Sequence, residues 1–152
     1  MNKILTCIVA LSIALPAAAA DSAATEAAVR DALTEFNKAY GENRVEAYFG
    51  YYADDASLYF EGARQTVSGY HDMWSTLIKS GGAVERNDLS DVRVRVLPGG
   101  DSAVATYFID YRLRGADGSI SPAKAFETDV WQNIDGKWKV VALHYSEAAA
   151  AE

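Results

Sequence analysis

Thr128-Asp-Val-Trp-Gln-Asn-Ile-Asp-Gly-Lys-Trp138 reads as the ends of two β-strands joined by a tight hairpin. Asp135-Gly136 is the sharpest local signal in the chain, because a two-residue hairpin loop needs backbone angles that Gly and Asp adopt at low cost. Outward from that loop, Lys124 to Gln132 forms one strand and Trp138 to Tyr145 the next. Moving toward the N-terminus, Ala116 to Ser119 is turn chemistry, Ala103 to Leu113 a strand, and Pro98 to Asp101 another turn. Asp91-Val-Arg-Val-Arg-Val-Leu97 alternates strictly, which puts Val92, Val94 and Val96 on one face and Arg93 and Arg95 on the other. This half of the chain is a meander of long antiparallel strands.

The preceding half is helical. Val29, Leu33, Phe36 and Tyr40 recur at steps of four, three and four, laying one apolar stripe along a helix from about Ala24 to Tyr40 that Gly41 stops. Asn43, with Glu46 three residues later, predicts a capping box for a short helix carrying Val45, Tyr48, Phe49 and Tyr52, ended by Asp54-Asp55. Ala56 to Glu61 and Gln65 to Val67 read as a small hairpin around Gly62 to Arg64. After Gly69 a third helix places Met73, Trp74, Leu77 and Ile78 on one face and stops at Gly81-Gly82. Three helices followed by a strand meander predict an α+β domain, with the helices covering one face of a curved sheet.

The 152 residues hold 14 Lys plus Arg against 21 Asp plus Glu, a formal net charge of −7. An acidic chain with no basic stripe argues against nucleic acid and anionic lipid as partners. At the front, Met1-Asn-Lys3 is a short positive segment, Ile4 to Leu15 an apolar run, and Pro16 to Ala20 a series of small residues. That pattern predicts a signal peptide cleaved near Ala20, residence in the periplasm or outside the cell, and no membrane attachment afterwards. Residues 21–152 are then the single folded domain. Cys7 is the one cysteine and lies in the leader, so the mature chain is expected to have no thiol or disulfide. No His-x-x-x-His, clustered Asp motif, phosphate-binding glycine pattern or nucleophile elbow occurs, and the reading assigns neither metal nor cofactor.

The order of elements has three local companions: Phe60-Glu-Gly62 in the early hairpin, Val67-Ser-Gly69 at the third helix, and the ending Thr128-Asp-Val-Trp131, Asp135-Gly-Lys-Trp138 and His144-Tyr-Ser146. Together they resemble the nuclear transport factor 2-like superfamily. The branch they resemble most holds the SnoaL-like proteins and the association domain of calcium/calmodulin-dependent protein kinase II. The resemblance covers roughly residues 28–146. It implies a cone, a curved antiparallel sheet wrapped over about three N-terminal helices in a cystatin-like roll. It also implies a pocket open at one end and a homodimer formed through the outer sheet face. Such a fold hosts enzymes, binders and assembly modules, so function has to be argued from the site.

In the kinase association domain the pocket carries arginines, and motif matching puts their positions at Asp129, Ile109 and Tyr145. All three are absent, so that anion site does not carry over. Strand parity from Asp129 adds Glu127 and Trp131 to the pocket face, and parity from Ile109 adds Ala105, Tyr107 and Tyr111. A more distant resemblance to ketosteroid isomerase implies acid–base chemistry, with Glu61 as base and with protonated Glu127 and the Tyr40 hydroxyl holding an enolate. Phe60, Tyr107 and Trp131 would supply the apolar wall that keeps one carboxyl neutral. His71 lies two residues before Met73, the position that aligns with a pocket histidine, and is a further candidate ligand contact; parity turns His144 to the outer face. The candidate catalytic set is therefore Glu61, Glu127 and Tyr40, and the candidate ligand set Tyr107, Ile109, Asp129, Trp131, Tyr145 and His71. Three functions fit: an exported binder of a small, largely apolar molecule; a cofactor-free isomerase, cyclase or dehydratase; and an assembly module.

Overall fold

The computed structural model describes residues 17–60 and 62–148. Most of the expected leader and the candidate base Glu61 lie outside the described residues. Helix α1 (Ala17–Gly41) buries the predicted stripe, with Val29, Leu33 and Phe36 no more than 2 % exposed. The chain then turns through Asn43, whose φ of 58° is left-handed, into α2 (Val45–Phe49). Asn43 does not cap α2. The cap position is Arg44, which makes no side-chain cap bond. The left-handed corner instead aims the Asn43 amide at the next layer. Its Oδ1 accepts from the Val84 N–H at 2.7 Å and its Nδ2 donates to the Val84 carbonyl at 3.0 Å.

Strand β1 (Tyr52–Phe60) begins where the sequence reading still had helix. The five-residue α2 has no intrinsic stability to extend, and Tyr52 pairs with Val140 instead. Asp54 and Asp55 are exposed within the strand, in the stretch where its register shifts. After the short β2 (Ala63–Gln65), helix α3 (Val67–Lys79) starts three residues earlier than the stretch after Gly69. Thr66 is its N-cap, accepting the Gly69 N–H on Oγ1 at 3.1 Å. Four long strands complete the chain, β3 (Ala83–Val96), β4 (Ser102–Arg114), β5 (Ile120–Ile134) and β6 (Lys137–Glu147). Asp135 and Gly136, both at positive φ, form the loop between the paired Ile134 and Lys137.

The six strands form one curved sheet in the order β2-β1-β6-β5-β4-β3. The meander β3 to β6 is antiparallel as expected, but β1 runs parallel to β6, so the sheet is mixed rather than wholly antiparallel. Helix α3 carries the chain from β2 to the far edge, and the meander then works back until β6 lies beside β1 in the same direction. Strand β3 is twice as long as its alternating part, because the polar Glu85-Arg-Asn-Asp88 carries no period-two pattern yet pairs with β4. At Asp91, φ 49°, a bulge skips the pairing between Ser90 and Arg93. The extra residue flips the face, so Asn87 and Leu89 before it share the inner side with Val94 and Val96 after it.

The Asn43 side chain ties the helix corner to the first long strand. Replacing it by Ala removes both bonds to Val84 and places a non-glycine, non-asparagine residue in the left-handed region. The expected loss is about 2 kcal/mol in urea unfolding. Asn43→Gly should recover the backbone part alone, leaving it between wild type and Asn43→Ala.

Candidate functional site

A cavity of about 270 Å³ opens between the helices and the inner sheet face. All three helices wall it: Tyr40 from α1, Tyr48 from α2, and Tyr70 and Trp74 from α3. Tyr40 stacks on Trp74 with ring centroids 5.0 Å apart, and Phe36 stacks on Tyr48 at 4.6 Å. From the sheet come Phe60, Ile109, Tyr111, Glu127 and Tyr145. The Tyr48 hydroxyl is hydrogen-bonded to that of Tyr52, outside the lining, at 2.6 Å and lies 3.5 Å from that of Tyr70. Burial pushes the Tyr40, Tyr48, Tyr52 and Tyr70 hydroxyls above their ordinary range, so all four are neutral at any physiological pH. Among the described residues Glu127 is the one carboxyl in the lining, and no Lys, Arg or His accompanies it.

The pairing of β4 with β5 sets what lies beneath Glu127. Tyr107 stands directly opposite it, and Ala105 opposite Asp129, so Tyr107 reaches both carboxyls. Its hydroxyl is hydrogen-bonded to Glu127 Oε1 and lies 2.7 Å from Asp129 Oδ2. Tyr107 and Asp129 are 0 % exposed and Glu127 7 %. A phenol has one proton, and two oxygen–oxygen contacts at hydrogen-bond distance need two. One carboxyl must therefore be protonated. Asp129 is the more deeply enclosed: burial first, then the neighbouring Glu127 charge, raises its pKa well above the ordinary range, against the pull of Tyr107 and Trp131. Burial raises Glu127 to about 7, with the Tyr107 hydrogen bond acting in the opposite direction. The arrangement is a chain in which Asp129 donates to Tyr107 and Tyr107 donates to Glu127, leaving Glu127 as the member that titrates at the cavity wall.

Of the sequence candidates, Tyr40, Ile109, Glu127 and Tyr145 line this cavity. Tyr107 and Asp129 do not; they sit behind Glu127, where strand parity is right but depth is not readable. Trp131 is also removed from the lining, fully buried with its ring edge-on to Phe36 at 5.6 Å. His71 is placed outside, stacked edge-on against Phe49 with Nε2 3.1 Å from Glu46 Oε1. Two residues, about 200° around the helix, separate the two faces, and it is Met73 that lines the cavity. His144 is exposed on the outer face.

Sequence reading missed Asn37 and Asn87, which also line the wall. Asn87 Nδ2 donates to the Asn37 carbonyl at 3.3 Å and to its Oδ1 at 3.2 Å, locking α1 to β3. Asn87 belongs to the polar half of β3, where alternation gives no signal; Asn37 follows Phe36 on the buried face of α1.

Residues 29–151 match the family model of the SnoaL-like domain. No curated protein sequence matches the chain. Solved structures with the same fold include a nuclear transport factor 2-like protein from Cytophaga hutchinsonii, 21 % identical over 79 % of this chain and 95 % of that one, with a TM-score of 0.69. A proposed scytalone dehydratase from Novosphingobium aromaticivorans is 12 % identical over 86 % and 88 % of the two chains, TM-score 0.71. A proposed calcium/calmodulin-dependent kinase II association domain from Exiguobacterium sibiricum is 13 % identical over 84 % and 96 %, TM-score 0.72. At these identities the likeness is one of fold.

The raised carboxyls give stability a defined pH dependence. An acid with a folded pKa near 7 against about 4.3 in the unfolded chain holds more protons folded than unfolded between those values. Stability therefore falls as pH rises through that window. Between pH 5 and pH 8 the Glu127 contribution is a loss on the order of 3 kcal/mol. Urea midpoints measured across this range should drop for the wild type and flatten for Glu127→Gln.

Proposed function

The chain belongs to the SnoaL-like domain family, and we propose that it is an exported binder of a small, largely apolar molecule held in the aromatic cavity. The observation that carries the reading is the lining itself. Ring after ring faces a space of about 270 Å³, interrupted among the described residues by one carboxyl, Glu127, and by the amides of Asn37, Gln65 and Asn87. Aromatic walls with a few convergent polar groups are the usual composition of a ligand site. Export rests on the leader pattern of residues 1–20.

The homodimer reading rests on the outer face. Phe108 and Phe126 pair across β4 and β5 with centroids 5.4 Å apart, yet are 46 % and 40 % exposed. An exposed aromatic pair in mid-sheet is surface that a second copy would cover.

One observation favours a second reading, acid–base catalysis. Glu127, raised to about 7, faces the cavity with the proton affinity suited to taking or giving a proton near neutrality. Tyr40 lines the same space, as the isomerase resemblance implies, and a proposed dehydratase shares the fold.

Native mass spectrometry of the chain, purified from a host that exports it, tests the lead reading. The expected spectrum is twice the processed chain's mass, with a defined small molecule released on denaturation. Ile109→Trp fills the cavity and should keep the dimer while abolishing the adduct. A processed, folded chain that carries nothing and takes up no apolar probe contradicts binding, and a larger ring contradicts the dimer in favour of assembly.

A further inference from the structure

The geometry points to an organic cation, an alkylated amine carrying a compact apolar or ring-bearing body, as the class of molecule this cavity takes. The inference rests on the binding reading above and specifies its ligand.

The first ground is the charge inventory. Two carboxyls, Glu127 and Asp129, are buried side by side on β5. A buried acid is ordinarily answered by Arg or Lys, because taking a carboxylate out of water without a counter-ion is costly. Among the described residues neither is paired with Arg or Lys. The titratable groups around Glu127 among the described residues are tyrosines and one acid: Tyr40 from α1, Tyr48 from α2, Tyr52 from β1, Tyr70 from α3, Tyr107 from β4, and Asp129 on its own strand, with the neutral amides of Asn37, Gln65 and Asn87 completing the polar lining. Tyr145 is its paired neighbour on β6.

The second ground is the wall. Tyr40, Tyr70, Trp74, Tyr111 and Tyr145 surround a carboxyl that has one hydrogen-bond partner, Tyr107, on Oε1. Aromatic rings attract cations through their negative faces, and several rings around one space form the usual cage for alkylated ammonium groups. An apolar ligand alone would leave Glu127 unanswered, and an anion would face it with no donor of positive charge. A cation satisfies the rings and the carboxyl together. A volume of about 270 Å³ limits the guest to a small molecule. The chain's net charge of −7 also favours the approach of cations.

A cation beside Glu127 favours its ionised form, so binding should expel a proton when the pH lies below about 7. Affinity for a permanent cation should accordingly rise with pH and level off above that value.

The test is isothermal titration of the whole processed chain with three benzyl probes of different charge: benzyltrimethylammonium, its neutral carbon isostere neopentylbenzene, and the smaller anion phenylacetate. At pH 8.5 the ammonium probe is expected to bind at least tenfold more tightly than the isostere, and phenylacetate not measurably. The preference should shrink severalfold at pH 5.5, and titrations at pH 6 in buffers of different ionisation enthalpy should show proton release. Glu127→Gln should erase the preference for the cation. If that variant does not fold, the wild-type pH series decides alone. Equal or tighter binding of the isostere, or a cation preference that pH does not alter, overturns the cation assignment while the binding site stands. Binding of none of the three overturns both.

Discussion

Tyr107 has one proton to give and two buried carboxyls within reach of it. That shortage shapes the site. It requires a proton on one acid, and depth selects Asp129 to hold it. What remains is a directed chain, Asp129 to Tyr107 to Glu127, whose last member meets the cavity. Without the Asp129 proton the same three residues would carry two adjacent negative charges in a dry interior, a state the surrounding rings cannot compensate.

The fold exists to hold that chain in place. The β4–β5 register puts Tyr107 across from Glu127, and both strands are central, flanked by β3 and β6. The Asp91 bulge keeps Val94 and Val96 on the inner face after a strand half that runs out of phase. The helices then close the space from above, α1 locked by Asn37 to Asn87 and its corner fastened by Asn43 to Val84. The Asn37–Asn87 tie is part of the cavity wall, whereas the Asn43–Val84 tie lies at the helix corner outside the lining.

Much of this was legible in the chain. Period-two alternation identified the meander; the family resemblance anchored Asp129 and Ile109 on the pocket face and parity added Glu127 and Tyr107, while Asp135-Gly136 marked the last hairpin. Parity reports side and not depth, which is why Tyr107, Asp129 and Trp131 were expected against a ligand and lie behind the wall. Helical spacing is less forgiving still, and the two residues from His71 to Met73 are the difference between surface and cavity. The polar half of β3 carried no pattern at all. Its role as a strand comes from pairing with β4, a long-range contact no local signal announces. The parallel junction of β1 with β6 is equally non-local.

The most direct measurement of the central claim is a ¹³C NMR titration of the side-chain carboxyls, with Glu127 and Asp129 assigned through Glu127→Gln and Asp129→Asn. Glu127 should titrate near pH 7, and Asp129 should show the chemical shift of a protonated acid on both sides of that transition. Two carboxyls that both ionise below pH 5 would contradict the shared-proton chain and the reading of the cavity built on it.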